Sequence, residues 1–168
     1  MSNLRVINGH LLHANSLEEN AFEKLYISLR KKEGRLFTEK EIRKLPEVSK
    51  HHPHFLEWKI RKRSCNKLLK YVKQKGRICT ILEIGCGTGW LSAKLSQATR
   101  GEVTGIDINH IELQQAKKVF ASKRNLNFIT GDIRTGILAD KKFDLIVLLR
   151  PFNISNPSKK LSMSLCNI

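Results

Sequence analysis

Apolar positions in the first third of the chain recur at helical spacing. Phe22, Leu25, Tyr26 and Leu29 fall at i, i+3, i+4 and i+7, which predicts a helix over Leu17 to Lys32 with one apolar face. Gly34 ends it. Thr38 followed by Glu41 forms a capping-box pair that opens a short helix, and Pro46 terminates that helix. His51-His52-Pro53-His54 is then a connector into a longer helix from about Phe55 to Lys75. The first 75 residues thus read as helices. From Ile78 the period changes to short apolar runs alternating with amphipathic ones. Strands are expected at Ile78–Ile84, Glu102–Ile106, Leu126–Thr130 and Phe143–Leu149. Helices are expected at Trp90–Ala98 and from the Asn109/Glu112 capping pair through Lys123. Strands joined by helical crossovers imply an α/β fold, a parallel sheet covered on both faces.

Composition narrows the class. The chain has 168 residues, 40% hydrophobic, enough for one domain with a real core. No apolar run is long enough to span a bilayer, and Met1 to Leu25 lacks the pattern of a signal peptide. Cys65, Cys79, Cys86 and Cys166 lack paired spacing, which suggests a reduced, cytoplasmic protein. The formal net charge is +16, and residues 1–80 hold 19 Lys and Arg against 8 Asp and Glu. At 100° per residue, Lys59, Arg63, Lys67, Lys70 and Lys73 share one side of the long helix. Such a stripe is either a solvated face or a surface for nucleic acid or another polyanion. Phe55, Trp58, Cys65, Leu68, Leu69 and Val72 form another side, and Arg61 falls among them. His51, His52 and His54 lack a partner cluster, so no metal site is expected.

Three features carry candidate chemistry. Glu83-Ile84-Gly85-Cys86-Gly87-Thr88-Gly89-Trp90 lies between a strand and a helix. Glycines there let the backbone turn sharply and approach a ligand, although tight turns also use glycine for packing alone. Asp107 ends the second strand, where a carboxylate accepts hydrogen bonds from ribose hydroxyls. Gly131-Asp132-Ile133 follows the third strand, where a carboxylate accepts from an adenine amino group. All three stand at strand C-termini, the edge where open α/β sheets bind ligands.

The run E-I-G-C-G-T-G-W, then G-I-D-I-N, then G-D-I, resembles the first three motifs of class I S-adenosylmethionine-dependent methyltransferases over about residues 78–149. The N-terminal helices resemble, less specifically, the extension of a bacterial methyltransferase-domain subgroup. The resemblance implies S-adenosylmethionine as cofactor and a Rossmann-like sheet. By position, Gly85, Cys86, Gly87 and Gly89 would line the methionine and ribose portion, and Glu83 would stand near the methionine amino end. Asp107 would hold the ribose, Ile108 would pack on the adenine, and Asp132 with the backbone of Ile133 would read its edge. Arg61 would either extend its guanidinium to water or pair with Glu83 or the methionine carboxylate. A dinucleotide fingerprint needs its third glycine where Trp90 stands. The resemblance leaves the catalytic residues and the methyl acceptor unnamed; a small molecule comes first and RNA second.

Beyond Leu149 the family pattern breaks at Arg150-Pro151-Phe152-Asn153, and Ser155 to Ile168 shows no strand or helix period. The expected organisation is therefore a helical extension over 1–75, a partial Rossmann-like domain over 76–149 and an irregular tail over 150–168. The apolar fourth strand would leave an open edge. Codons for residues 148–160 are compatible, one frame over, with A-A-S-I-Q-Y-F-K-S-L-K-K, which resembles the segment after strand four in the family. A frameshifted or truncated chain, inactive but retaining some cofactor binding, is the alternative to an enzyme.

Overall fold

The computed structural model describes residues 4–7, 10–13, 16–75, 78–149 and 163–166, with side chains for 24–75 and 78–149. The elements run β1 (Leu4–Ile7), β2 (His10–His13), α1 (Ser16–Lys32), α2 (Glu39–Lys44), α3 (Phe55–Gln74), β3 (Ile81–Ile84) and α4 (Trp90–Ala98). They continue with β4 (Val103–Asp107), α5 (His110–Val119), β5 (Leu126–Thr130), a 3-10 turn (Ile133–Thr135), β6 (Leu145–Leu149) and β7 (Met163–Cys166). Most of the patterned elements form where the spacing places them. Two short strands were not legible: β1 and β2 pair as an antiparallel hairpin ahead of α1, so the first 75 residues are not all helical.

Capping chemistry sets the helix ends. Gly34 adopts φ 64°, and the N–H groups of Gly34 and Arg35 close onto the carbonyls of Lys31 and Arg30. That double closure satisfies two carbonyls which the end of α1 would otherwise leave open. The Thr38 side chain accepts from the Glu41 N–H while the Glu41 carboxylate accepts from the Thr38 N–H, the complete reciprocal box. Asn109 caps α5 through the Glu112 N–H; α5 ends at Val119, short of the expected Lys123.

The sheet order is β5-β4-β3-β6-β7. The four strands β5, β4, β3 and β6 are parallel, and β7 adds antiparallel to β6. The tail thus contains a strand that its sequence did not announce, and β7 covers the edge of β6 that the sequence left open. The frame-shift segment itself falls mostly outside the described residues. A sheet strand is possible there because β6 offers an unpaired row of N–H and C=O groups, and pairing needs little from side-chain pattern.

Burial follows the alternation of the strands. Ile81, Val103, Leu145 and Val147 face one side and join Trp58, Cys65, Leu68, Val72, Trp90, Leu91 and Leu95 in the main core. Helix α3 therefore packs in the same core as the sheet. Leu82 and Ile106 face the other side and are covered by Leu138, with Ile133, Ile137 and Phe143 at its margin. Among the described residues, that second face is covered by the β5–β6 connection, so both faces of the sheet are covered, as the sequence suggested. The apolar face expected on α1 is also not a core face: Leu25 and Leu29 are 70% and 52% exposed. No described helix is long and apolar enough to cross a membrane.

Candidate functional site at the C-terminal rim of the sheet

Three connections meet at one rim because β3, β4 and β5 are adjacent and parallel. The glycine turn leaves β3 with the Gly85 N–H donating to the Ile106 carbonyl (2.8 Å), which ties it to β4. Gly131, just past β5, donates its N–H to the Asp107 carbonyl (2.9 Å). The Asp107 carboxylate accepts from the Gly87 N–H (2.7 Å) and the Asn109 N–H (2.9 Å). One side chain thereby fixes the glycine turn against the end of β4.

The glycines do different work. Gly85 has φ +72°, and an added Cβ would meet nothing within 4 Å, so its bare face is turned to open space. Gly89 has φ +69°, and a Cβ there would lie 2.5 Å from Phe128 Cζ. Gly89 serves packing and starts α4; Gly85 serves access. Gly105 lets Cys86 Sγ and Ser92 Oγ approach within 2.8 Å of where its Cβ would be. The buried Cys86 thiol is accordingly packed against the sheet, and burial pushes its pKa well up.

A cavity of about 300 Å³ opens above this rim. Glu83, Gly85, Cys86, Gly87 and Asp107 line its floor. Gly89, Ile108, Asp132 and Ile133 do not line it. Ile108 is 49% exposed beside Asp107. Ile133 packs at the margin of the second core, and Asp132 accepts from the backbone and side chain of Arg134, whose guanidinium holds the carboxyl below its usual range. The rim thus gathers Glu83, the glycine turn and Asp107, while the Asp132 carboxylate is engaged with Arg134.

Tyr26, Leu29 and Arg30 of α1, with Arg35, Trp58 and Glu112, line the roof of the cavity without having been expected there, together with Trp90 of the glycine motif and with Arg61, for which the sequence offered a place at the methionine end. Arg35 forms a two-point bond to the buried Glu57 (3.1 and 2.7 Å), and Arg61 Nε donates to the same carboxylate (2.9 Å). Burial raises the Glu57 pKa, but the bonds from Arg35 and Arg61 outweigh it and hold the group below the usual carboxylate range. Arg61 also lies over the Trp58 ring (5.4 Å). Its carboxylate partner is therefore Glu57 and not Glu83, although it shares the cavity with Glu83. The Arg30 Nε is buried with no hydrogen-bond partner, 3.9 Å from Glu112. Thr130 Oγ1, in register with Asp107, and Asn109 Nδ2 are likewise buried without partners. Two of the three connector histidines are occupied locally: His52 stacks on Phe37, its Nδ1 accepts from the His54 N–H, and the His54 ring bonds the Glu33 carbonyl.

Glu83 is 1% exposed and accepts from Ser92 Oγ. Burial pushes its pKa up from 4.5 to about 8, because the bond from Ser92 only partly offsets the lost solvation. Between those two values the folded chain keeps a proton that the unfolded chain releases. Stability of the ligand-free protein therefore falls as pH rises from about 4.5 to about 8. Glu83→Gln should flatten that slope in thermal unfolding; an unchanged slope would assign it to other groups.

A family model described as "Methyltransferase domain" matches residues 81–165, half of the chain. Malonyl-[acyl-carrier protein] O-methyltransferase 2 of Ilyobacter polytropus is 38% identical over 88 residues, covering 52% of this chain and 34% of that protein. The corresponding enzyme of Halalkalibacterium halodurans is 30% identical over 97 residues, covering 52% and 36%. The chain thus spans about a third of the length of these curated relatives. Among solved structures, magnesium protoporphyrin IX methyltransferase (ChlM) from Synechocystis PCC 6803 with bound SAH superposes with a TM-score of 0.51 at 21% identity, over 79% of this chain and 58% of that one. This last likeness supports the fold. With the match running through β3 to β7 and the glycine turn, Asp107 and the Gly131 loop gathered at one rim, the chain belongs to the methyltransferase domain family, with the class I, Rossmann-like fold.

Proposed function

We propose that the chain binds S-adenosylmethionine at the rim of β3, β4 and β5 and transfers its methyl group to an acceptor. The observation that carries this reading is the Asp107 carboxylate, locked to the glycine turn by the Gly87 N–H and set in the floor of an open cavity. The residues present fit the cofactor: the bare Gly85 leaves room for its approach, and Arg30 Nε is a buried donor without a hydrogen-bond partner. Asp107 would take the ribose hydroxyls, and the exposed Ile108 would pack on the adenine. Asp132 and the Ile133 N–H would read the adenine edge once Arg134 swings away from the carboxylate.

Opposite charges are interleaved around the cavity: Arg35 and Arg61 share Glu57, Arg35 also pairs with Glu33, and Glu83 in the floor keeps its proton up to about pH 8 in the ligand-free chain. A zwitterionic methionine end fits with its carboxylate toward Arg61 and its ammonium toward Glu83, which would release its proton on meeting that charge. The cofactor supplies an already activated methyl on a sulfonium, so the chain's task is to hold acceptor and cofactor in line. The curated relatives carry names for their own acceptors, and the cofactor rim does not select among them. Cys65 and Cys86, buried thiols among the described residues, support a reduced, cytoplasmic setting.

The amino-acid end can be tested separately from the nucleoside. Arg61→Met should weaken S-adenosylhomocysteine by about 10- to 100-fold, the worth of a charge-assisted hydrogen bond. It should leave 5′-methylthioadenosine, which lacks the amino-acid end, unchanged in calorimetry. Equal losses for both ligands would make Arg61 a structural residue and remove its proposed role.

A further inference from the structure

We propose that the outer face of α3 is a docking surface for the phosphate backbone of a folded RNA that presents the methyl acceptor. This rests on the methyl-transfer reading above and replaces the small molecule, the first expectation for the acceptor, with RNA. Lys59, Arg63, Lys67, Lys70 and Lys73 are all exposed on one side of this helix. Among the described residues none of the five makes an ion pair. The sole acid of α3 is Glu57, which is buried and committed to Arg35 and Arg61. The stripe runs about 21 Å along the helix axis, in steps of about 4.5 to 6 Å.

The chemistry of the stripe distinguishes between partners. A protein interface needs an apolar or aromatic anchor at its centre. Between Lys59 and Lys73 no large apolar side chain is exposed; the exposed Leu56 shares this face but stands at its N-terminal end and not at its centre. A phosphate backbone needs only cations. Single-stranded nucleic acid is held by stacking on exposed aromatics, and Trp58 is buried against Trp90 and Phe37. Four of the five cations are lysines, point charges without the two-point geometry that reads base edges in DNA. Shape-level contact with a folded RNA is what remains, in keeping with a sequence pI of about 10.0. The opposite side of the same helix places Trp58 and Arg61 in the cavity wall, so RNA on the stripe lies one helix diameter, about 10 Å, from the proposed reaction site and would reach it around the helix.

The test measures binding of the full chain to a hairpin RNA of about 20 base pairs, a DNA duplex of the same sequence and poly-glutamate, at several salt concentrations. RNA affinity should fall about 500-fold between 50 and 200 mM salt, as release of counterions from about five phosphates requires. Lys67→Gln/Lys70→Gln/Lys73→Gln should weaken RNA binding at least about tenfold and make the salt slope shallower by about 3. Affinity for S-adenosylhomocysteine should not change in that variant, which confirms its fold. Equal binding of poly-glutamate or DNA, or an unaltered RNA affinity in the triple variant, would overturn the assignment. Loss of S-adenosylhomocysteine binding in the parent chain with RNA binding intact would instead strike the methyl-transfer reading alone.

Discussion

Asp107→Ala is expected to lower the affinity for S-adenosylhomocysteine by about 100-fold or more. Two contributions add. The carboxylate is the proposed acceptor for the ribose hydroxyls, and charge-assisted hydrogen bonds of that kind are worth about 1.5–3 kcal/mol each. It also accepts from the Gly87 and Asn109 N–H groups, so its removal loosens the glycine turn from the end of β4. Asp107→Asn separates the two. The amide oxygen retains one acceptor, while the charge and the second acceptor are lost, so the loss should be intermediate. Calorimetry on both variants, with circular dichroism to confirm the fold, gives the comparison. Wild-type affinity in Asp107→Ala would mean that the nucleoside sits elsewhere.

The second large effect concerns stability. Gly89→Ala should destabilise the chain by about 3 kcal/mol, a large share of the ~5–15 kcal/mol that holds a domain of this kind together. The left-handed conformation at φ +69° costs a residue with a Cβ about 1–2 kcal/mol, and that atom would lie 2.5 Å from Phe128 Cζ. The remainder is the strain of moving the half-buried ring against its neighbours. Phe128→Leu in the same chain should recover part of the loss, because the shorter side chain retreats from the new methyl. Urea unfolding of the single and double variants measures the coupling. Additive losses would show that the backbone conformation, and not the Phe128 contact, carries the requirement for glycine.

What the sequence made legible was what local rules govern. The capping box at Thr38 and Glu41, the stop at Gly34, helix α4 and strand β5 follow from short-range periodicity and capping. The glycine turn and Asp107 were legible because a parallel sheet sends successive strand ends to one rim. Other features depend on residues far apart in the chain. The Arg35–Glu57–Arg61 cluster needs a pairing across 22 positions, and only Arg61, out of place on an apolar side, hinted at it. Asp132 has the right motif, yet Arg134 two residues on competes for its carboxylate. Leu25 and Leu29 repeat at helical spacing without being buried; Leu29 instead lines the cavity, so spacing gave the helix and not its partner. The strands β1, β2 and β7 are four residues each, too short for alternation to rise above chance.

The proposed function stands on an adenosyl group held at the rim where β3, β4 and β5 end. An experimentally determined structure with S-adenosylhomocysteine tests this directly. The ribose hydroxyls are expected on the Asp107 carboxylate, the purine beside Ile108, and the amino-acid end between Glu83 and Arg61. Ligand density in any other cleft, with Asp107 still bonded only to the Gly87 and Asn109 N–H groups, would contradict it.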